Sequence, residues 1–83
     1  MSANAFKVIA KRTVRVLGEN GVMSRYDIDY CTNGFIFVID MVTHHDAARW
    51  RSDSKWKLYP EDGRPDVPQF ILDEALNNRP SET

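Results

Sequence analysis

The dipeptide Asn33-Gly34 is the feature that most constrains the fold of this chain. It separates residues 26–32 from residues 35–43, and both runs are rich in aromatic and β-branched side chains. Such side chains favour strands, and Asn-Gly tolerates the positive φ angles that a two-residue hairpin turn requires. The sequence therefore predicts a β-hairpin that turns at these two residues.

A two-residue turn also fixes which residues of the hairpin face one another. Thr32 is expected opposite Phe35, which gives one apolar face made of Tyr26, Ile28, Tyr30, Phe37, Ile39 and Met41. The opposite face then carries Arg25, Asp27, Asp29 and Cys31 across from Val42, Asp40, Val38 and Ile36. On this register the first set forms the core and the second set meets solvent.

Residues 6–17 fit two patterns. As a strand they place Phe6, Val8, Ala10, Val14 and Val16 on one face, which only Arg12 interrupts. Helical spacing aligns an equally good apolar set. Because five of these twelve residues are β-branched, we favour a strand that continues through a turn at 18–21 into a three-stranded meander.

Two readings remain open for residues 44–59. The first is a short helix near 44–51, followed by a strand. The second is a hairpin that turns at Ser52-Asp53-Ser54. Downstream, residues 60–63 break any regular element, and Asp66 is expected to cap a helix that runs from 67 to about 77.

The expected fold is therefore α+β: a three- to four-stranded antiparallel sheet packed against a C-terminal helix. We expect one domain over residues 6–77, with tails at 1–5 and 78–83. Eleven basic and twelve acidic residues nearly balance, and the single Cys31 excludes an internal disulfide. Neither a secretory signal nor an apolar run of membrane-spanning length is evident, so we expect a cytoplasmic location and no membrane partner.

Three aspartates form the first candidate site. On the predicted register, Asp27 and Asp29 share a face and Asp40 comes from directly across the hairpin. Carboxylates this close form either an acidic contact patch or a site for a hard cation such as Mg²⁺. A solvated sheet face is the simpler interpretation, and we predict no metal and no cofactor.

A second candidate site spans residues 49–57. If Ser52–Ser54 is a turn, Trp50 faces Trp56, and four cations, Arg49, Arg51, Lys55 and Lys57, share the other side. Aromatic rings beside cations suit an acidic protein partner or a single-stranded nucleic acid. The alternative is that both tryptophans complete the core while the cations extend into water.

The remaining reactive residues suggest no catalytic set. His44 and His45 are adjacent, so on a strand they point to opposite faces, and Cys31 is expected far from both. A basic stripe of Lys7, Lys11, Arg12 and Arg15 offers phosphate contacts, unless Lys11 pairs with Asp27 or Asp29.

We therefore expect a small non-catalytic binding protein that occupies a surface on a partner protein. Its type would be an accessory or inhibitor protein such as phages and other mobile elements carry. The alternative is a nucleic-acid-binding module that uses residues 49–57. A homodimer is a further alternative, because three strands leave open edges and the C-terminal helix is apolar over a wide arc.

Overall fold

The computed structural model describes residues 7–18, 20–63 and 65–80. They form one antiparallel sheet of five strands and one helix, which confirms the α+β class and adds at least one strand to the prediction. The elements are β1 (Val8–Leu17), β2 (Met23–Cys31), β3 (Ile36–Asp40), β4 (His45–Arg51), β5 (Lys55–Leu58) and α1 (Gln69–Asn77). The strands lie side by side in chain order. Residues 1–5 and 81–83, at the two predicted tails, lie outside the described residues.

The ambiguous N-terminal segment is a strand, as favoured. In β1, Ala10, Val14 and Val16 pack against the core. Arg12, which interrupts this apolar set, shares its face, and its Nη2 donates to Oε1 of Glu74 in α1 at 2.8 Å. The charged residue is therefore accommodated because it pairs with the helix that covers this side of the sheet.

The β2–β3 hairpin exists, but its predicted turn and register are wrong. The loop has three residues, Thr32–Gly34: the Gly34 N–H donates to the Cys31 carbonyl at 3.1 Å, and the Cys31 N–H donates to the Phe35 carbonyl at 3.0 Å. Only Gly34 takes a positive φ (84°), while the Asn33 side chain accepts the Phe35 N–H. Asn33 thus acts through its side chain, in a type of turn that needs one left-handed residue instead of two.

This one-residue shift exchanges the two sides of β3. Tyr30 faces Ile36, Ile28 faces Val38 and Tyr26 faces Asp40. Phe37 and Ile39, which were predicted to join the core, instead lie opposite Asp29 and Asp27. We call the side of the sheet that packs on α1 the core face and the other side the outer face.

The segment His45–Arg51 forms β4 and pairs with β5, so of the two alternatives the short helix near 44–51 is wrong and the hairpin is correct. His44, with a φ of 64°, ends the loop before the strand. Along β4, Ala48 and Trp50 are buried while Arg49 and Arg51 are exposed. This alternation has the period of a strand, which explains why the segment joins the sheet.

Helix α1 begins two residues later than predicted, and Asp66 does not cap it. Pro68 is the N-cap, and no side chain caps this end. The cause is Pro68 itself, since a proline disfavours helical backbone at the preceding residue, here Val67. None of the described helical segments has the length and apolarity needed to cross a membrane.

The core lies between the sheet and α1. Its largest fully buried side chains are Ile28, Ile36, Val38 and Ile71. The Tyr30 hydroxyl donates to the Ala75 carbonyl at 2.7 Å. Because Ala75 is in the last turn of α1, its carbonyl belongs to those that lack an N–H partner within the helix. Tyr30 therefore satisfies the helix end and ties α1 to the sheet.

Candidate functional site

The three aspartates do not come together. Asp40 faces Tyr26 and so belongs to the core face, whereas Asp27 and Asp29 lie on the outer face. The Asp40 carboxylate accepts the N–H of Val42 at 2.8 Å and thereby orders the β3–β4 loop. The predicted proximity of Asp27 and Asp40 is therefore wrong, because it depended on the two-residue turn.

The two outer-face aspartates pair with neighbouring strands. Asp27 accepts hydrogen bonds from Thr13 at 3.1 Å and from Arg25 at 3.3 Å, and Asp29 forms an ion pair with Lys11 at 3.4 Å. The contact predicted between Lys11 and an aspartate is thus confirmed for Asp29. The described residues contain no group of three potential metal ligands.

The two tryptophans face each other across β4 and β5, as predicted for the hairpin alternative. Both lie on the core face: Trp50 is 9% exposed, and Trp56 packs against the core from the neighbouring strand. The Arg79 guanidinium lies over the Trp50 ring, 5.4 Å from its centroid. In this position the two tryptophans contribute to stability. Because they pack against the core on the side of the sheet that α1 covers, a partner can contact little of their surface.

The four cations of residues 49–57 gather on the outer face. Arg49 lies opposite Lys57 and Arg51 opposite Lys55, which confirms the predicted pairs. All four residues are exposed, and no described element packs over this side of the sheet. The cations therefore form a surface on the side of β4 that is opposite to Trp50, and Trp56 also borders it.

Aromatic rings complete this surface, but they come from residues that sequence reasoning did not select. The Arg49 guanidinium lies 5.4 Å from the ring centroids of both Phe37 and Tyr59. Arg51 lies 5.4 Å from the centroid of Phe35. We call the set the Arg–aromatic cluster; its members are Phe35, Phe37, Arg49, Arg51, Lys57 and Tyr59.

Carboxylates beside the cluster pair with all three of its cations. Arg49 donates two hydrogen bonds to Oδ2 of Asp46, at 2.6 and 3.0 Å. Arg51 pairs with Asp53 at 3.1 Å, and Lys57 pairs with Glu61 at 3.0 Å. These hydrogen bonds raise the pKa of the Arg49 guanidinium and of the Lys57 ammonium, so both groups stay charged at physiological pH.

The cluster borders a depression of about 550 Å³. Its walls include Phe35 and Phe37 from the β3 side and Lys55 and Tyr59 from the β5 side. The volume is within the range of small-molecule sites, and the depression is partly open to solvent.

The other reactive residues have unreactive surroundings. Burial raises the pKa of the Cys31 thiol, and the nearby Asp29 carboxylate raises it further, so little thiolate forms at neutral pH. His44 and His45 are exposed at the β3–β4 loop, whereas Cys31 lies at the opposite end of the sheet, next to the β2–β3 loop. These residues therefore do not assemble a nucleophile and a base.

Sequence reasoning missed the aromatic rings because β3 is apolar on both sides. Either register buries an apolar set, Ile36 and Val38 or Phe37 and Ile39, so hydrophobic alternation does not choose between them. A signal was nevertheless present in the positions of Arg49 and Arg51. Two arginines that alternate with Ala48 and Trp50 mark the exposed side of β4, and the structure pairs Arg49 on that side with Phe37.

Comparison with known proteins yields no relative: no family model matches the chain, and no match is found among curated proteins or solved structures.

Proposed function

We propose that this chain is a non-catalytic binding protein that attaches to a partner protein through the Arg–aromatic cluster. The observation that carries the proposal is the position of Arg49, stacked between Phe37 and Tyr59 on a sheet face that no described element covers. Because a single cysteine fits a reducing compartment, we extend the proposal to a cytoplasmic location.

The composition and rigidity of the cluster support a protein partner. Arginine and aromatic residues dominate the binding energy of protein interfaces, especially near their centres. Arg49 is also held in place by Asp46 and by two rings. A side chain that is already ordered loses little rotamer entropy on binding, so more of its contact energy contributes to affinity.

The charge balance favours protein over nucleic acid. Three of the four cations on β4 and β5 have a carboxylate within 3.1 Å. Phosphate contacts would have to displace these carboxylates, whereas nucleic-acid binding draws its energy from uncompensated cations that release counterions. The salt bridges therefore weaken the usual driving force for phosphate binding.

A nucleic-acid partner is the second candidate, and the rings support it. Phe35 and Phe37 lie on a sheet surface next to Arg51 and Arg49, and sheet-borne aromatic residues beside cations stack the bases of single strands. The two candidates differ in salt dependence. Binding to an oligonucleotide would weaken steeply between about 50 and 200 mM salt.

The test compares two arginines on the same outer face. The tagged full chain captures partners from a lysate of its source organism, alongside the variants Arg49→Gln and Arg25→Gln. Both variants lose one positive charge, but only Arg49 contacts the aromatic rings. A captured protein that binds wild type and Arg25→Gln, and binds Arg49→Gln at least about tenfold more weakly, supports the proposal.

Two outcomes overturn it. A purified partner that binds Arg49→Gln and wild type equally would place the interface elsewhere. Capture that disappears after nuclease treatment, with steep salt dependence of oligonucleotide binding, would favour the second candidate. Thermal unfolding of each variant shows whether a loss of binding reflects a loss of fold.

A further inference from the structure

The free side of β1 is a second surface suited to binding, far from the Arg–aromatic cluster. β1 has ten residues, is the longest strand and forms one end of the strand order, with β2 as its only neighbour in the sheet. The strand at the other end, β5, has only four residues. A long edge strand offers a row of backbone groups to which another extended segment can pair.

The ladder shows which backbone groups face outward. The Gly18 N–H donates to the Val22 carbonyl at 2.9 Å, just beyond the last pair of β1 and β2. Hydrogen-bonded and non-hydrogen-bonded pairs alternate along an antiparallel ladder. The residues that direct their N–H and C=O groups away from β2 are therefore Lys11, Thr13, Arg15 and Leu17.

The charge on this edge has one sign. Residues 7–17 contain Lys7, Lys11, Arg12 and Arg15 and no acidic residue. Lys11, Arg12 and the neighbouring Arg25 have carboxylate partners in Asp29, Glu74 and Asp27, respectively. Arg15 lies opposite Arg25 and has no carboxylate partner among the described residues, so a segment that carries carboxylates would supply one.

Self-pairing of two β1 edges is disfavoured by the same charges. Suppose that two copies pair antiparallel with their core faces on the same side of the joined sheet. Odd-numbered residues of one copy must then lie opposite odd-numbered residues of the other, and even-numbered opposite even-numbered. The two registers that use most of β1 are centred on Arg12 and on Thr13. The first places Arg12 against its own copy, and the second places Lys11 against Arg15, so both bring cations together.

We propose that β1 binds an extended acidic segment of a partner protein, which adds to the sheet as a further antiparallel or parallel strand. Exposed apolar side chains flank the basic stretch, with Val8 at one end and Leu17 beside Met23 at the other. The segment that fits best therefore has carboxylates in its middle and apolar residues at its ends. This inference uses residues outside the Arg–aromatic cluster and is independent of the proposed function.

The test uses a synthetic peptide of about ten residues, with alternating Thr and Glu and a Val at each end, added to the full chain at millimolar concentration. A second peptide with Lys in place of Glu is the control for charge. We expect the acidic peptide alone to bind, and amide hydrogen exchange to slow at Lys11, Thr13 and Arg15. Binding of both peptides alike, or protection confined to other strands, overturns the proposal.

Two variants separate backbone pairing from charge. Arg15→Ser removes the cation, and Arg15→Pro removes the cation together with an outward N–H that makes no bond to β2. If the peptide adds as a strand, the Arg15→Pro variant should bind the acidic peptide at least about fivefold more weakly than the Arg15→Ser variant does. Equal affinity of the two variants overturns the proposal, and circular dichroism verifies that both fold. If the Pro variant does not fold, hydrogen exchange of the wild-type chain decides.

Discussion

The two faces of the sheet use the same strands for opposite purposes. On the core face, Ile28, Val38 and Ile71 are fully buried between the strands and α1. On the outer face, Arg49 and its rings remain accessible and no described element covers them. Because side chains alternate along a strand, each strand of this small domain contributes some side chains to the core face and others to the outer face.

The difference teaches how a thin domain divides stability between its two faces. The core face contains every fully buried large side chain of the described residues. The outer face is held by hydrogen bonds and ion pairs between side chains, such as those of Asp46 with Arg49 and of Asp27 with Thr13. Substitutions should therefore change stability strongly on the first face and weakly on the second.

The largest expected difference in stability is between two single isoleucine-to-alanine variants, one on each face. Ile71→Ala should lower the free energy of unfolding by about 2–5 kcal/mol, because Ile71 is fully buried and the substitution leaves a cavity. Ile39→Ala, on the outer face, should cost about 1 kcal/mol or less. Urea denaturation of both variants measures the difference, and equal losses would contradict the division between the faces.

The next effect concerns the tie between the sheet and α1. Tyr30→Phe should cost about 1–3 kcal/mol, because it leaves the buried Ala75 carbonyl without a hydrogen-bond donor. Tyr59→Phe, on the outer face, should cost under about 0.5 kcal/mol. Thermal unfolding compares the two. A loss for Tyr59→Phe as large as that for Tyr30→Phe would show that the outer face also contributes strongly to stability.

Alkaline pH should destabilise the folded chain through three buried groups, of which Tyr26 and Tyr30 lie on the core face. Burial is the main cause that raises the pKa values of Tyr26, Tyr30 and Cys31 in the folded chain. A raised folded pKa gives stability that is complete below the unfolded pKa and is lost as the pH rises through the folded value. Stability should therefore decline above the ordinary pKa values of 9.0 for the thiol and 10.0 for the phenols.

Urea denaturation at a series of pH values from neutral to strongly alkaline measures this decline. The variant Tyr30→Phe should show a shallower decline than the wild-type chain, because one of the titrating groups is gone. An unchanged slope in the variant would mean that Tyr30 does not contribute to the alkaline transition.

The smallest expected effect is on the outer face. Arg49→Met keeps much of the apolar stem but removes the guanidinium, its bonds to Asp46 and its contacts with two rings. Because Arg49 is about half exposed, solvent screens these interactions, and the cost should be about 0.5–1.5 kcal/mol. Lys55→Met is the control on the same face, because Lys55 is exposed and has no carboxylate partner among the described residues. A loss above about 3 kcal/mol for Arg49→Met would make it a structural residue.

The sequence predicts much of the fold because several local patterns agree. The Asn-Gly dipeptide marks a hairpin, the β-branched residues of 6–17 favour a strand, and Ser52–Ser54 marks a second hairpin. The length of the first loop is harder to predict, because a two-residue and a three-residue turn both accept Asn followed by Gly. The helix start was missed for a local reason, the effect of Pro68 on Val67.

The candidate site was predicted only in part. The four cations of β4 and β5 share the outer face as predicted: Arg49, Arg51, Lys55 and Lys57. Their pairing depends on the turn at Ser52–Ser54, which the sequence predicts correctly. The positions of Phe35 and Phe37 depend on the β2–β3 register, and the predicted register differs from the observed one by one residue. The error in the predicted loop length therefore assigned these aromatic residues to the core, although they lie on the outer face.

The central claim is that Phe37 and Ile39 belong to the outer face, and the β2–β3 register tests it most directly. Ile28 and Val38 form a non-hydrogen-bonded pair, because the pairs on either side of them carry the hydrogen bonds between β2 and β3. The two Cα atoms of such a pair lie about 4.5 Å apart. NMR should therefore show a strong nuclear Overhauser effect between the Hα protons of Ile28 and Val38. A strong effect between the Hα protons of Asp29 and Val38, which a two-residue turn would make a non-hydrogen-bonded pair, would contradict the account. That register would return Phe37 to the core and abolish the Arg–aromatic cluster.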